Sequence, residues 1–337
     1  MTKVVNLQKR INRLPRIKLA KLPTPLEEMP RLSKSLGGPK LWIKRDDLTG
    51  IAFGGNKERK TEFVMADVIR KGADTIITTG AVQSNHARVT VAAARKLGLK
   101  AVLVLRGREP REYTGNLLLA SLFGADIHFV QGNSQQMIPV MEKVAEKLKG
   151  KGHKSYIVPA GASYPTGAAG YVDAMLEMIG QAEEVNLKID YIVHASGSGG
   201  TQAGLVIANK VLETGIEVFG VYIKAKSNQW LTEKIVEIAN GIAQLLDLSQ
   251  TVDQKDVVLI GDYAGEAYGV LTPEAFEAVK LVAQTEGVLL DPVYTSKAMA
   301  GLIDLIKQGH FKKDENVVFV HTGGTPALFV YKNQLIT

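Results

Sequence analysis

The chain has no cysteine, which excludes a disulfide framework, a thiolate nucleophile and any cysteine-ligated metal. Aromatic residues make up only 6% of it, two of them tryptophan, and they do not interleave with basic residues as a single-strand-binding surface requires. No apolar run approaches the roughly 18 residues of a membrane helix, and no continuous apolar core of a secretory signal is present. The six histidines, His86, His128, His153, His194, His310 and His321, show no metal-ligand spacing with one another, so no metal is expected. Acidic residues are scarce at the N-terminus. Residues 1–45 hold twelve Lys and Arg against Glu27 and Glu28, net +10, whereas the remaining 292 residues carry 29 basic and 32 acidic groups, net −3. The overall charge of +7 is thus a local feature, and neither nucleic acid nor membrane is an expected partner. A basic, acid-poor N-terminus can mark an organellar transit peptide, but this one is poor in serine and runs into the proline-bracketed segment Leu22-Pro-Thr-Pro-Leu-Glu-Glu-Met-Pro30. A cytoplasmic protein is the expectation.

What is present is a regular alternation. At 337 residues and 45% hydrophobic content the chain can form two domains with sizeable cores. Short β-branched runs at 75–79, 101–106, 127–130, 156–158, 191–195, 218–223, 257–260 and 317–321 predict strands. Helical patterns at 84–97, 115–123, 137–148, 166–179, 202–212, 229–246, 273–286 and 297–306 fall between them. Uniformly apolar strands alternating with helices predict an α/β protein with parallel sheets covered on both faces. In such sheets ligands bind beyond the carboxyl ends of the strands, and several strands here end in glycine or small polar residues.

Three of those ends carry chemistry. Gly54-Gly55-Asn56-Lys57 follows a strand near Leu41 and opens a helical pattern whose apolar positions are Phe63, Val64, Val68 and Ile69. A lysine at such a turn suits a Schiff base, although Asn-Lys-Glu-Arg-Lys equally describes a solvated helix start. Gly197-Ser198-Gly199-Gly200-Thr201 leads from strand to helix and offers inward backbone N–H groups and hydroxyls, a setting for one phosphate. Gln202 replaces the third glycine of a dinucleotide fingerprint, and Leu205 stands where a P-loop needs lysine. Ser84, Asn85 and His86 lie at another helix mouth, either as plain caps or as a seat for a carboxylate. Tyr268 and Tyr294 sit in polar loops, either as buried phenols or as proton carriers.

Six stretches in order resemble the fold type II pyridoxal-phosphate enzymes, in the branch of D-cysteine desulfhydrase and 1-aminocyclopropane-1-carboxylate deaminase. They are Ile43-Lys-Arg-Asp-Asp-Leu-Thr-Gly50, Gly54-Gly-Asn-Lys57, Gln83-Ser-Asn-His86, Ser196-Gly-Ser-Gly-Gly-Thr-Gln-Ala-Gly204, Asp291-Pro-Val-Tyr-Thr-Ser-Lys-Ala-Met-Ala-Gly301 and His321-Thr-Gly-Gly324. The resemblance implies a tryptophan-synthase-β-like fold, pyridoxal 5'-phosphate bound covalently at Lys57, and Asn85 on the ring hydroxyl. Gly197, Ser198, Gly199, Gly200 and Thr201 would cup the phosphate. Ser84, Asn85 and His86 would hold the substrate carboxylate, and Tyr268 and Tyr294 would flank the reacting carbon. Lys57, Ser84 or Tyr294 would move the α-proton. Thr295 or Thr322 would face the pyridine nitrogen. It further implies a homodimer, a small domain at 54–162 and a large one from 1–53 plus 163–337. The cyclopropane deaminases carry Gln in place of His86 and Glu in place of Thr295. The resemblance therefore favours elimination from D-cysteine or a close analogue, with cyclopropane-ring deamination and cysteate sulfo-lyase activity as alternatives.

Overall fold

The computed structural model describes residues 2–133, 136–223, 228–261 and 263–336; Asp262, which opens the segment carrying Tyr268, lies outside them. Ten strands form two sheets. They are β1 (Leu26–Glu28), β2 (Lys40–Lys44), β3 (Thr75–Ala81), β4 (Lys100–Arg106), β5 (Asp126–Val130), β6 (Ser155–Val158), β7 (Tyr191–Ser196), β8 (Glu217–Tyr222), β9 (Val258–Ile260) and β10 (Asn316–Val320). The larger sheet runs β1-β2-β10-β7-β8-β9 and the smaller β5-β4-β3-β6. Every pairing is parallel except β1 with β2. The central strands are mostly apolar and are buried along their middles, with only their ends more exposed, as sheets covered by helices on both faces require.

All eight strands read from the sequence are present within a residue or two. The departures are local. β1 is a three-residue edge strand built partly of Glu27 and Glu28, too short and polar for alternation to show. The helix expected over 166–179 divides into Pro165–Ala168 and Gly170–Glu184. At Gly170 the chain passes so close to the Arg59 carbonyl that a Cβ would lie 2.5 Å from it. The basic N-terminus forms the helix Lys3–Ile11, whose Leu7 and Ile11 enter the main apolar core, so the segment is part of the fold. Its charges are partly absorbed there: Arg10 donates to the carbonyls of Leu246 and Asp247, and Arg16 pairs with Glu62 and Asp173. No helix among the described residues is long and apolar enough to cross a membrane.

The helix Asn56–Arg70 departs most from its sequence. Ile69 faces outward, whereas Glu58, Arg59, Lys60, Thr61 and Glu62 are each at most 2% exposed. The solvated helix start is therefore not what forms. Arg59 binds Asp46 through Nε and Nη2 at 2.9 and 2.8 Å and Glu177 through both Nη atoms at 3.0 and 2.8 Å. Lys44 reaches Glu177 at 2.5 Å, and the Tyr171 hydroxyl donates to Asp46 at 2.6 Å. Burial pushes the Asp46 carboxyl up, but Arg59 beside it holds it below the usual carboxylate range. Buried charges persist only when paired in this way.

Candidate active site

Both sheets aim their carboxyl ends at one cavity of about 570 Å³. Ser84 and Asn85 reach it from the turn after β3, Arg106 from the end of β4 and Gly161 from the turn after β6. Gly197 to Gly199 come from the turn after β7, and Thr322 from the turn after β10. Lys57 joins them from the mouth of Asn56–Arg70, and Tyr268 and Tyr294 close one side.

Four hydrogen bonds to four separate segments fix the turn before Lys57. Gly55 N donates to Thr49 Oγ1 at 2.8 Å and Asn56 N to the Thr322 carbonyl at 3.0 Å. Asn56 Nδ2 donates to Thr201 Oγ1 at 2.9 Å, and Arg88 Nη2 donates to the Gly54 carbonyl at 2.7 Å. Gly55 has φ +126, and a Cβ there would meet the Thr322 carbonyl at 3.0 Å; only glycine satisfies both constraints. The lysine is thereby held at the cavity wall.

Joined to this turn by the Asn56–Thr201 bond, the helix Gly200–Leu212 presents its N-terminus, where backbone N–H groups lack intrahelical partners. Gly197, Ser198, Gly199 and Thr201 line the cavity, and Gly200 lies just behind them. A Cβ on Gly200 would come within 2.8 Å of both Lys60 Nζ and Ser163 Oγ, and Ser163 shares a 2.7 Å hydroxyl contact with Ser198. Lys60 is completely buried, and among the described residues its Nζ has no hydrogen-bond partner. Burial, reinforced by the charge of Lys57, holds that amine well below its ordinary range.

At the third helix mouth, Ser84 is the N-cap, accepting from Ala87 N at 3.2 Å, and it also faces the cavity. Capping and site-lining coexist. His86 lines the cavity too, but its ring is engaged elsewhere. Thr78 donates its hydroxyl to the Val158 carbonyl at 2.8 Å, so His86 Nε2 must be the donor in its 2.8 Å bond to Thr78. Nδ1 faces Thr90 at 3.3 Å. Both ring nitrogens are used inside the protein, and His86 can offer the cavity its backbone N–H, not an imidazole. Burial, then the charges of Lys57 and Lys60, hold the ring well below its ordinary pKa. Below about pH 6.5 the unfolded chain therefore takes a proton that the fold refuses, and stability falls as pH falls. His86→Gln should flatten this loss by about 1.4 kcal/mol per pH unit, the linkage of one proton. Denaturant unfolding between neutrality and mild acid reads it; parallel curves for the two proteins would contradict it.

Thr295 needs correction. It is fully buried and does not line the cavity. Its hydroxyl donates to Asp291 Oδ1 at 2.8 Å, and its backbone N–H donates to the same oxygen. Thr322 is the threonine that reaches the cavity. The Tyr268 and Tyr294 hydroxyls are 2.7 Å apart, and burial raises both phenols, Tyr294 well above its ordinary value. Neither is a base near neutrality; as neutral phenols they donate hydrogen bonds or relay protons.

A family model described as pyridoxal-phosphate dependent enzyme matches residues 17–323. The chain belongs to that family. It is 45% identical to the D-cysteine desulfhydrase of Salmonella typhi over 326 residues, covering 95% of this chain and 97% of the relative. It is 42% identical over 327 residues to a Pyrococcus abyssi protein provisionally named a 1-aminocyclopropane-1-carboxylate deaminase, covering 97% and 96%. A crystal structure titled as that of an ACC deaminase homologue superposes with a TM-score of 0.91 at 39% identity, covering 98% of both chains. The pyridoxal-phosphate enzyme therefore has the fold type II architecture, and its residues fit the cofactor. The buried, partnerless Lys60 amine lies behind a glycine cradle at a helix N-terminus, a setting that calls for a dianion. Sequence reasoning missed Lys60, Ser163 and the second role of Asn56. The one available signal was that Lys60 follows Lys57 by three positions, on the same helix face.

Proposed function

We propose that the protein eliminates the β-substituent of D-cysteine or a close analogue, giving pyruvate, ammonia and hydrogen sulfide. The observation that carries this choice is the polar make-up of the cavity wall. Among the described residues its only carboxylate is the exposed Glu266, and Thr322 offers a hydroxyl. Bound pyridoxal phosphate supplies an electron sink for the α-carbon. A hydroxyl facing its pyridine nitrogen leaves that sink weaker than a carboxylate would. Such a sink suffices for elimination, where a good leaving group supplies much of the driving force.

The roles then follow from position. Lys57 would hold the cofactor and, at the cavity wall, is placed to take the α-proton; burial keeps Tyr294 a neutral phenol, better suited to donating a proton than to removing one. Gly197 to Thr201 with Lys60 would seat the phosphate, and Asn85 would donate to the ring hydroxyl. The first-turn N–H groups of Asn85 and His86, with the Ser84 hydroxyl, hold the substrate carboxylate. The Tyr268–Tyr294 pair delivers a proton to the departing thiolate. The β-carbon–sulfur bond breaks, and water completes the conversion of the three-carbon product to pyruvate and ammonia.

The domain division at 54–162, the cytoplasmic location and the homodimer belong to the same proposal. Exposed Leu118 and Leu122 lie beside exposed Phe329 and Val330, where the helix Gly115–Leu122 meets the turn Thr325–Tyr331. Such a patch suits a second copy. A sedimentation mass of one chain would remove the dimer.

Names of relatives favour one second reading, deamination of 1-aminocyclopropane-1-carboxylate to 2-oxobutyrate and ammonia. Supplying the holoenzyme with D-cysteine, L-cysteine, cysteate and the cyclopropane acid in parallel decides the matter. Sulfide and pyruvate from D-cysteine are expected to dominate. A dominant 2-oxobutyrate signal would replace the desulfhydrase with the deaminase.

A further inference from the structure

Arg88 stands behind Asn85, and its bonds determine what Asn85 can offer the cavity. It follows Asn85 by three positions on the helix Asn85–Lys96, one turn along the same face, and it is 1% exposed. Nη1 donates to Asn85 Oδ1 at 3.2 Å and to Asn116 Oδ1 at 2.6 Å, while Nη2 donates to the Gly54 carbonyl. Asn116 Nδ2 in turn donates to Asn85 Oδ1 at 2.9 Å and to the Gln83 carbonyl at 3.1 Å. An isolated asparagine can present either end of its amide. Here the choice is forced, because a guanidinium only donates. Both asparagines must turn their oxygens toward Arg88. Asn85 Oδ1 then takes two donors, and what remains for the cavity is Nδ2.

The charge of Arg88 is also informative. Burial lowers its pKa to about 10, with Glu58 and Asp291 opposing, so it is cationic near neutrality. Among the described residues no carboxylate lies within ion-pair distance of it, and the oxygens it donates to are neutral. Glu58 and Asp291 balance this buried charge only from beyond ion-pair distance, and a buried cation without a directly paired carboxylate is costly. The arrangement is reasonable where an anionic ligand oxygen comes to rest one side chain away, at Asn85.

We infer that Arg88 is a positioning residue: it locks Asn85 as a hydrogen-bond donor to the cofactor's ring hydroxyl oxygen. Through the Gly54 carbonyl it also ties that donor to the turn that presents Lys57. The inference rests on the proposed seating of the ring over Asn85. A fixed donor backed by a positive charge favours the ionised form of that oxygen. Loss of Arg88 therefore frees the Asn85 amide to rotate and slackens the Lys57 turn together.

The test compares wild type, Arg88→Lys, Asn85→Ala and the double variant as holoproteins. The readouts are the absorbance of bound pyridoxal phosphate across pH and its dissociation constant. Lysine keeps the charge, but one ammonium cannot reproduce the planar fork that spans Asn85, Asn116 and Gly54. Arg88→Lys is expected to weaken cofactor binding about tenfold, the ratio one charge-assisted hydrogen bond carries. It should also move absorbance from the visible band toward the near ultraviolet. With Asn85 already alanine, the same change should add little, because the two act as one unit. Wild-type colour and affinity in Arg88→Lys, or fully additive effects, would overturn the role of Arg88. Should Arg88→Lys fail to fold, Asn116→Ala removes the second donor to Asn85 and must show the same non-additivity. A wild-type protein that binds no pyridoxal phosphate would instead remove the proposed function beneath the inference.

Discussion

Lys57→Ala is expected to lower turnover by at least about 10⁴-fold, because one amine both anchors the cofactor and carries the α-proton. The variant should still fold and still take up pyridoxal phosphate. Gly197 to Thr201 and Lys60, the proposed seat of the phosphate, are untouched, and the turn at Gly54 to Asn56 is fixed by bonds that do not involve the lysine side chain. The cofactor would then be removable by dialysis, where in wild type it is retained. A steady-state assay of pyruvate release, run beside the dialysis, checks both halves. Pyruvate release at the wild-type rate would falsify the assignment of Lys57.

The second large effect lies two residues along the same helix and concerns stability. Arg59 is 1% exposed and Asp46 is fully buried, and the two share a bidentate pair extended by Glu177, Lys44 and Tyr171. Arg59→Met would leave Asp46 and Glu177 buried without their main counter-charge, at a cost of about 3–5 kcal/mol. Because Asp46 lies below its usual range in the fold, its contribution is present above its unfolded pKa and fades as pH falls through the folded one. The loss in Arg59→Met should therefore be largest at neutral pH and shrink in acid. Urea denaturation at two pH values measures it. A loss below about 1 kcal/mol at neutrality, the size of an exposed pair, would show that the network is not what holds the helix.

These two residues also mark where the sequence is legible and where it is not. Parallel strands buried on both faces appear as unbroken apolar runs, so β3, β4, β7, β8 and β10 were readable directly, as were the glycine turns at their ends. The glycine turns before Lys57 and at 197–201 were readable as turns, but what they hold came only from the resemblance, since a solvated helix start described the segment at Lys57 equally well. Burial of Glu58, Arg59 and Lys60 was not readable, because it depends on Asp46 and Glu177, far off in sequence. The chemical character of a side chain does not reveal whether its partner will arrive. The side-chain engagements of His86 and Thr295 were hidden for a related reason: Thr78 and Asp291 draw their polar side-chain atoms away from the cavity. Thr322 and not Thr295 faces the cavity, because the turn after β10 reaches it and the first turn of Thr295–Lys307 does not.

Two lysines on one helix make the central claim easy to test. Lys60 has the features by which a Schiff-base lysine is often recognised, complete burial and an amine held well below its ordinary range. Lys57 has the position, at the wall of the cavity. We place the covalent link at Lys57 and the phosphate beside Lys60. Reduction of the holoprotein with borohydride, followed by proteolysis and mass mapping of the pyridoxyl adduct, distinguishes them directly. The adduct is expected on Lys57, with Lys60 unmodified. An adduct on Lys60, or none on either, would contradict the account.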